Sequence, residues 1–165
     1  MMMPEVFHMK IRKGLLALCI GIPLAVGGLS ALLTGNSMQS FSALKQPPLS
    51  PPGWLFPVAW TLLYILMGIA CYLVVTSSAP EAARKAALRT YAAQLFFNGL
   101  WTLLFFRLEW RLFALAWLIV LWLLILVCTM QFSRIRKAAG WLLAPYLAWT
   151  TFAAYLNLGV WLLNR

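Results

Sequence analysis

Acid is nearly absent from this chain. It has three carboxylate side chains, Glu5, Glu81 and Glu109, no aspartate, and a single histidine, His8. All three acids fall outside the apolar runs, so no carboxylate pair or proton relay can form at membrane depth, which argues against an ion-coupled pump. One histidine cannot build a His-rich metal site, and no metal or cofactor is expected. Cys19, Cys71 and Cys128 each lie inside an apolar run with no CxxC spacing and read as small buried hydrophobes. Charge of either sign is scarce: 10% of residues are charged, where a soluble domain carries about a quarter.

Apolar surface is what the chain has in excess. Hydrophobic residues make up 64% of it, with nine tryptophans. That much apolar surface requires lipid, so the reading is an all-α, multi-pass membrane protein forming one domain over residues 1–165. A net charge of +10 would point to nucleic acid in a soluble protein. Here the basic residues sit in short segments between apolar runs, as the positive-inside rule places them, and no nucleic-acid partner is expected.

Five stretches approach the roughly 20 residues a spanning helix needs: 14–34, 54–76, 88–106, 112–132 and 138–163. They predict a five-transmembrane-helix bundle. Lys10, Arg12 and Lys13, then Arg84, Lys85 and Arg89, then Arg134, Arg136 and Lys137 fall on one side. Lys45, Arg107, Arg111 and Arg165 fall on the other. The bias predicts a cytoplasmic amino terminus and an external first loop. A basic end before an apolar run also resembles a signal peptide, but the run is long and lacks a small-x-small cleavage site, so a retained helix is expected. Pro23 and Pro145 should bend the first and fifth helices. Gly21, Ala25, Gly28 and Ala31 form a small-residue stripe suited to close packing, within the chain or against a second copy. The fourth helix is nearly featureless and reads as lipid-facing. Residues 77–89 read as a polar interval. The long connection over residues 35–53 is either a lid over a cavity or a solvated connector.

Residues 47–75, PPLSPPGWLFPVAWTLLYILMGIACYLVV, organise the rest. Prolines suit the lead-in and first turn of a helix, and Trp60, Tyr64 and Gly68 then share one face. Trp149, Ala153 and Asn157 repeat that spacing in the last helix. A tryptophan on each of two facing helices, with small residues between, would hold a flat apolar ligand by stacking; ordinary aromatic packing is the alternative. Gln94, Asn98 and Asn157 are amides at membrane depth and need partners, either in interhelical hydrogen bonds or along a cavity wall. Trp110 and Trp141 lie beside charged intervals and read as interfacial anchors.

PPGWLFPVAWTLLYILMGIACYLV, QLFFNGLW followed by FF, and PYLAWTTFAAYLN resemble the TspO/MBR family, the tryptophan-rich sensory proteins and translocator proteins that include the peripheral benzodiazepine receptor. The three motifs occur in the family's order, and the resemblance extends over essentially the whole chain, with the first and fourth helices supported mainly by length and hydrophobicity. The resemblance implies a five-helix bundle, usually a homodimer, with a cavity open toward the first loop. It implies porphyrins such as protoporphyrin IX, sterols or synthetic apolar compounds as ligands, for sensing, sequestration or transport. It also implies an alternative, light- and oxygen-dependent porphyrin degradation involving paired tryptophans; tryptophan is no acid, base or nucleophile, and no conventional catalytic constellation is present. By resemblance, Trp60 and Trp149 face the porphyrin and Trp54 stands at the loop-to-helix junction. Tyr64, Asn98, Trp101 and Ala153 are pocket positions, and Tyr146, Leu156 and Asn157 complete the last motif. Two departures stand out. The tail LNLGVWLLNR lacks the animal-type sterol motif, since Tyr155 and Arg165 are too far apart. Gly99 replaces a bulky aromatic, which is expected to reshape the cavity. The short loops and the absence of an animal-type tail favour a bacterial cell membrane.

Overall fold

The computed structural model describes residues 11–35 and 37–165; Glu5, His8 and Lys10 lie outside the described residues. The chain forms α1 (Lys13–Thr34), a short α2 (Ser37–Ser42), α3 (Leu55–Val75), α4 (Glu81–Thr102) running into a π-helical turn (Leu103–Arg107), α5 (Arg111–Ile135) and α6 (Lys137–Leu163). Helices α1, α3, α5 and α6 are long and apolar enough to cross a membrane. The chain is an all-helical, multi-pass membrane protein.

The start of α4 differs from expectation. It begins at Glu81 rather than near residue 88, so the polar interval shrinks to a few residues. Pro80 precedes the helix where a missing N–H does no harm. The segment that follows is rich in Ala, Glu, Lys and Arg, all strong helix formers, and Glu81 pairs with Lys85 at 2.6 Å across one turn. Helix propensity outweighs polarity here. The same charges keep α4 from reading as a membrane span by composition.

The five long helices pack as a closed ring in the order α1, α3, α6, α5, α4 and back to α1. Lipid tails are as apolar as leucine, so packing and hydrogen bonds must hold such a ring together. On α5, Ala114, Leu118, Leu121, Ile125, Cys128 and Phe132 form a buried stripe at helical spacing, while Ile119, Val120, Leu123 and Val127 face outward. The close approach of α1 to α3 is made by glycines. A Cβ on Gly68 would collide with the backbone of Ile20 and lie 2.7 Å from the Cys19 carbonyl oxygen, and one on Gly27 would enter the Tyr64 ring. The expected stripe of Gly21, Ala25, Gly28 and Ala31 does not pack within the chain: all four are exposed, and Gly21 and Gly28 face open space.

Arginines close the helix ends. Arg84 Nη1 donates to the carbonyls of Val75 (3.3 Å) and Ser77 (3.1 Å), and Arg107 Nη1 donates to the Leu33 carbonyl at 2.6 Å. Each satisfies orphan carbonyls at a helix terminus. The first loop is fixed to α6. Asn164 accepts from the Lys45 N–H (3.0 Å) and donates to its carbonyl (2.9 Å). Tyr155 OH donates to the Pro48 carbonyl at 2.8 Å, and Pro47 sits on Gly159, where a Cβ would come within 2.6 Å of the proline ring.

Candidate functional site

A cavity of about 480 Å³ lies inside the ring, walled by α1, α3, the end of α4 and α6. That volume is within the roughly 300–1,000 Å³ of ordinary ligand sites. Helix α3 contributes Phe56, Pro57, Trp60, Thr61 and Tyr64, each a turn or less from the next along one face. Helix α6 contributes Trp149, Phe152, Ala153 and Leu156 on one face. Trp101, Thr102 and Phe106 come from α4 and the π-helical turn, and α1 supplies a wall of mostly small residues from Leu24 to Gly35. Among the described residues, no Asp, Glu, Lys, Arg or His lines it.

Its aromatic rings brace one another. Trp60 stacks on Tyr64 with centroids 5.6 Å apart, meets Tyr146 edge-on at 6.1 Å and lies 6.4 Å from Trp101. Trp101 stacks on Phe105 at 5.5 Å. Trp149 is held edge-on by Phe56 at 6.2 Å and leans on Phe152 at 5.8 Å. Phe41 of α2 reaches in from the first loop to touch Phe56, Phe105 and Phe106, so the loop is joined to two residues of the cavity wall.

Six residues singled out from sequence line this cavity: Trp60, Tyr64, Trp101, Trp149, Ala153 and Leu156. The other four stand elsewhere. Trp54 is 67% exposed at the loop end of α3. Asn98 and Tyr146 lie behind the wall in a buried chain. Tyr64 OH donates to Asn98 Oδ1, Asn98 Nδ2 donates to Tyr146 OH, and Tyr146 OH donates to Gln94 Oε1, each at 2.8 Å. Asn157 accepts from Trp101 Nε1 (3.4 Å) and donates from Nδ2 to the Arg111 carbonyl (2.7 Å). The amides therefore find interhelical partners and hold the lining rings Tyr64 and Trp101 in place. Gly99 is likewise not in the wall. A Cβ there would lie 3.3 Å from Ser30 Oγ and from Val26 Cγ1, and its carbonyl accepts from Ser30 Oγ at 3.3 Å. Its small size lets α1 approach α4 and leaves the cavity's shape to others.

The stretches that carry the two tryptophans, PGWLFPVAW at the start of α3 and PYLAWTTFAAYLN on α6, lie within a region that matches known proteins. The TspO/MBR family profile matches residues 19–162. The chain belongs to the TspO/MBR family. It is 37% identical over 150 residues to the tryptophan-rich protein TspO of Chlorobaculum tepidum, covering 90% of this chain and 95% of that one. It is 40% identical over 149 residues to the tryptophan-rich sensory protein of Cereibacter sphaeroides, covering 90% and 88%. It is 32% identical over 136 residues to the translocator protein of Ovis aries, covering 81% and 79%.

The sequence alone did not identify the TspO/MBR chain's α1 wall, where Gly27, Gly28, Ser30, Ala31 and Thr34 line the cavity. That helix is apolar all round, so no periodicity marks its inner face. Phe56 and Phe152 were accessible to the same spacing argument that selected Trp60 and Trp149, since each lies a turn from its tryptophan.

Proposed function

We propose that this TspO/MBR protein binds a tetrapyrrole of the protoporphyrin IX type, or a related flat apolar molecule, in the cavity between α3 and α6. Sensing, sequestration or transport would follow from that binding. The observation that carries the reading is that Trp60 and Trp149, with Tyr64 and Trp101, line one cavity. Aromatic faces hold a flat conjugated ring by offset or edge contact. The names of the relatives, a sensory protein and a translocator protein, agree with a ligand-handling role. We further propose that α4 with its π-helical turn is a fifth span, that the amino terminus is cytoplasmic, and that the protein is a homodimer in a bacterial cell membrane. The degradation reading is secondary. Its support is that both tryptophans line the cavity, while the absence of a lining Asp, Glu, Lys, Arg or His among the described residues favours binding over conventional catalysis.

The test is a titration of purified protein with protoporphyrin IX in the dark, followed by tryptophan quenching. Saturable quenching is expected, with Trp60→Phe and Trp149→Phe each weakening affinity by roughly two- to twelvefold, the equivalent of about 0.5–1.5 kcal/mol of aromatic contact. Unsaturable quenching, identical in all forms, would mean partition into lipid or detergent. Illumination of the saturated complex then separates binding from degradation: loss of porphyrin absorbance that both tryptophan variants abolish would establish the second reading.

A further inference from the structure

Among the described residues, the exposed members of the cavity wall lie on one side. Its lining residues on α4 and α6 are buried or half-buried, whereas Gly28, Ala31 and Gly35 on α1 and Gly53, Pro57 and Thr61 at α3 are exposed. The two sets run along facing edges, at spacings of three to four residues. The slot between them is about 10 Å long, from the seven-residue rise between Gly28 and Gly35. Deeper in, the contacts of Gly27 with Tyr64 and of Gly68 with Ile20 close it. Among the described residues, Phe41 of the first loop touches Phe56 at the loop end of α3 and the π-helical turn, and residues 45–48 lie on α6; none of these contacts crosses from α1 to α3.

Both edges belong to helices apolar enough to cross a membrane. The side chains flanking them, Leu29, Leu32, Val58 and Leu62, are exposed and meet hydrocarbon. The hydroxyls at the slot are taken up locally: Thr61 bonds to the Pro57 carbonyl (2.7 Å), Thr34 to that of Ser30 (3.0 Å). Water in the slot itself would therefore find few polar partners. An unfilled cavity forfeits dispersion contacts along its whole wall. A cavity of about 480 Å³ is in the size range of sites that take apolar molecules, and the acyl tails of the bilayer are the apolar groups that stand at the slot.

We propose that the cavity is entered sideways through the slot between α1 and α3, and that in the membrane an acyl chain of a neighbouring phospholipid occupies it. The test reconstitutes the full chain in vesicles of phosphatidylcholine carrying a diazirine on one acyl chain. Photolysis is followed by mapping of lipid adducts by mass spectrometry, with no porphyrin present. Adducts are expected on the interior residues Trp60, Trp149 and Leu156 as well as on the outward-facing Leu123 and Val127. Ala31→Trp, and separately Thr61→Trp on the opposite edge, should lose the interior adducts and keep those on α5, which also reports that the variant is folded in the bilayer. Adducts confined to outward-facing residues in the unmodified protein would overturn the proposal. So would interior adducts that persist in both slot variants.

Discussion

At the scale of the residue, Asn98 holds a junction of three helices. Its amide accepts from one phenol and donates to another, joining α3, α4 and α6 through Tyr64, Tyr146 and Gln94. Asn98→Leu removes both bonds at once and leaves Tyr64 OH without its acceptor. A loss of about 1–2 kcal/mol is expected from intramembrane bonds of this kind, read as a lower unfolding midpoint in mixed micelles. An unchanged midpoint would mean that the phenols find other partners. That the intramembrane amides need partners is legible in the sequence, because hydrocarbon offers none. Their position behind the wall is not. Spacing groups residues on one helix face but does not say which neighbour that face meets, and Asn98 shares a face with Trp101 and Thr102 while only the latter two line the cavity.

At the scale of the element, two glycines decide how α1 meets α3. Gly68→Val would place branched carbons into the backbone of α1 at Cys19 and Ile20. Overpacking at such a contact costs about 1–3 kcal/mol, so the thermal midpoint should fall clearly. Gly21→Ala adds the same kind of group into open space and should be neutral or slightly stabilising in a monomeric micelle. Equal effects of the two would contradict the crossing described above. For packing within the chain, the sequence was only partly informative. The stripe of Gly21, Ala25, Gly28 and Ala31 has the spacing of a packing face, yet the contacts are made by Gly27 and Gly68. A helix with small residues on several sides does not reveal which side is used. The early start of α4 follows the same logic in reverse: charged residues signalled a loop, but alanine, glutamate and lysine at helical spacing extend the helix instead.

At the scale of the whole molecule, a ring of helices surrounds an apolar cavity, and the first loop is strapped to the end of α6. Asn164→Ala removes both hydrogen bonds to the Lys45 backbone. Limited proteolysis should then cut within residues 35–53 faster than in the unmodified protein, with the helices left intact; an unchanged rate would show that Pro47 and Pro48 suffice to hold the loop. The apolar, multi-pass character of the chain was plain from composition, and the cavity's two tryptophans from periodicity. The order of helices around the ring was not, because neighbouring spans in lipid carry no distinguishing hydrophobic pattern. The central claim is that this cavity is the ligand site. Ala153 is buried in its wall on α6, so the most direct measurement is the affinity of Ala153→Phe for protoporphyrin IX, followed by the shift of the porphyrin's main absorption band in the dark. A cavity site predicts that the added ring displaces the ligand and abolishes saturable binding, while the variant remains folded and helical. Unchanged affinity in a folded variant would place the ligand elsewhere and contradict the account.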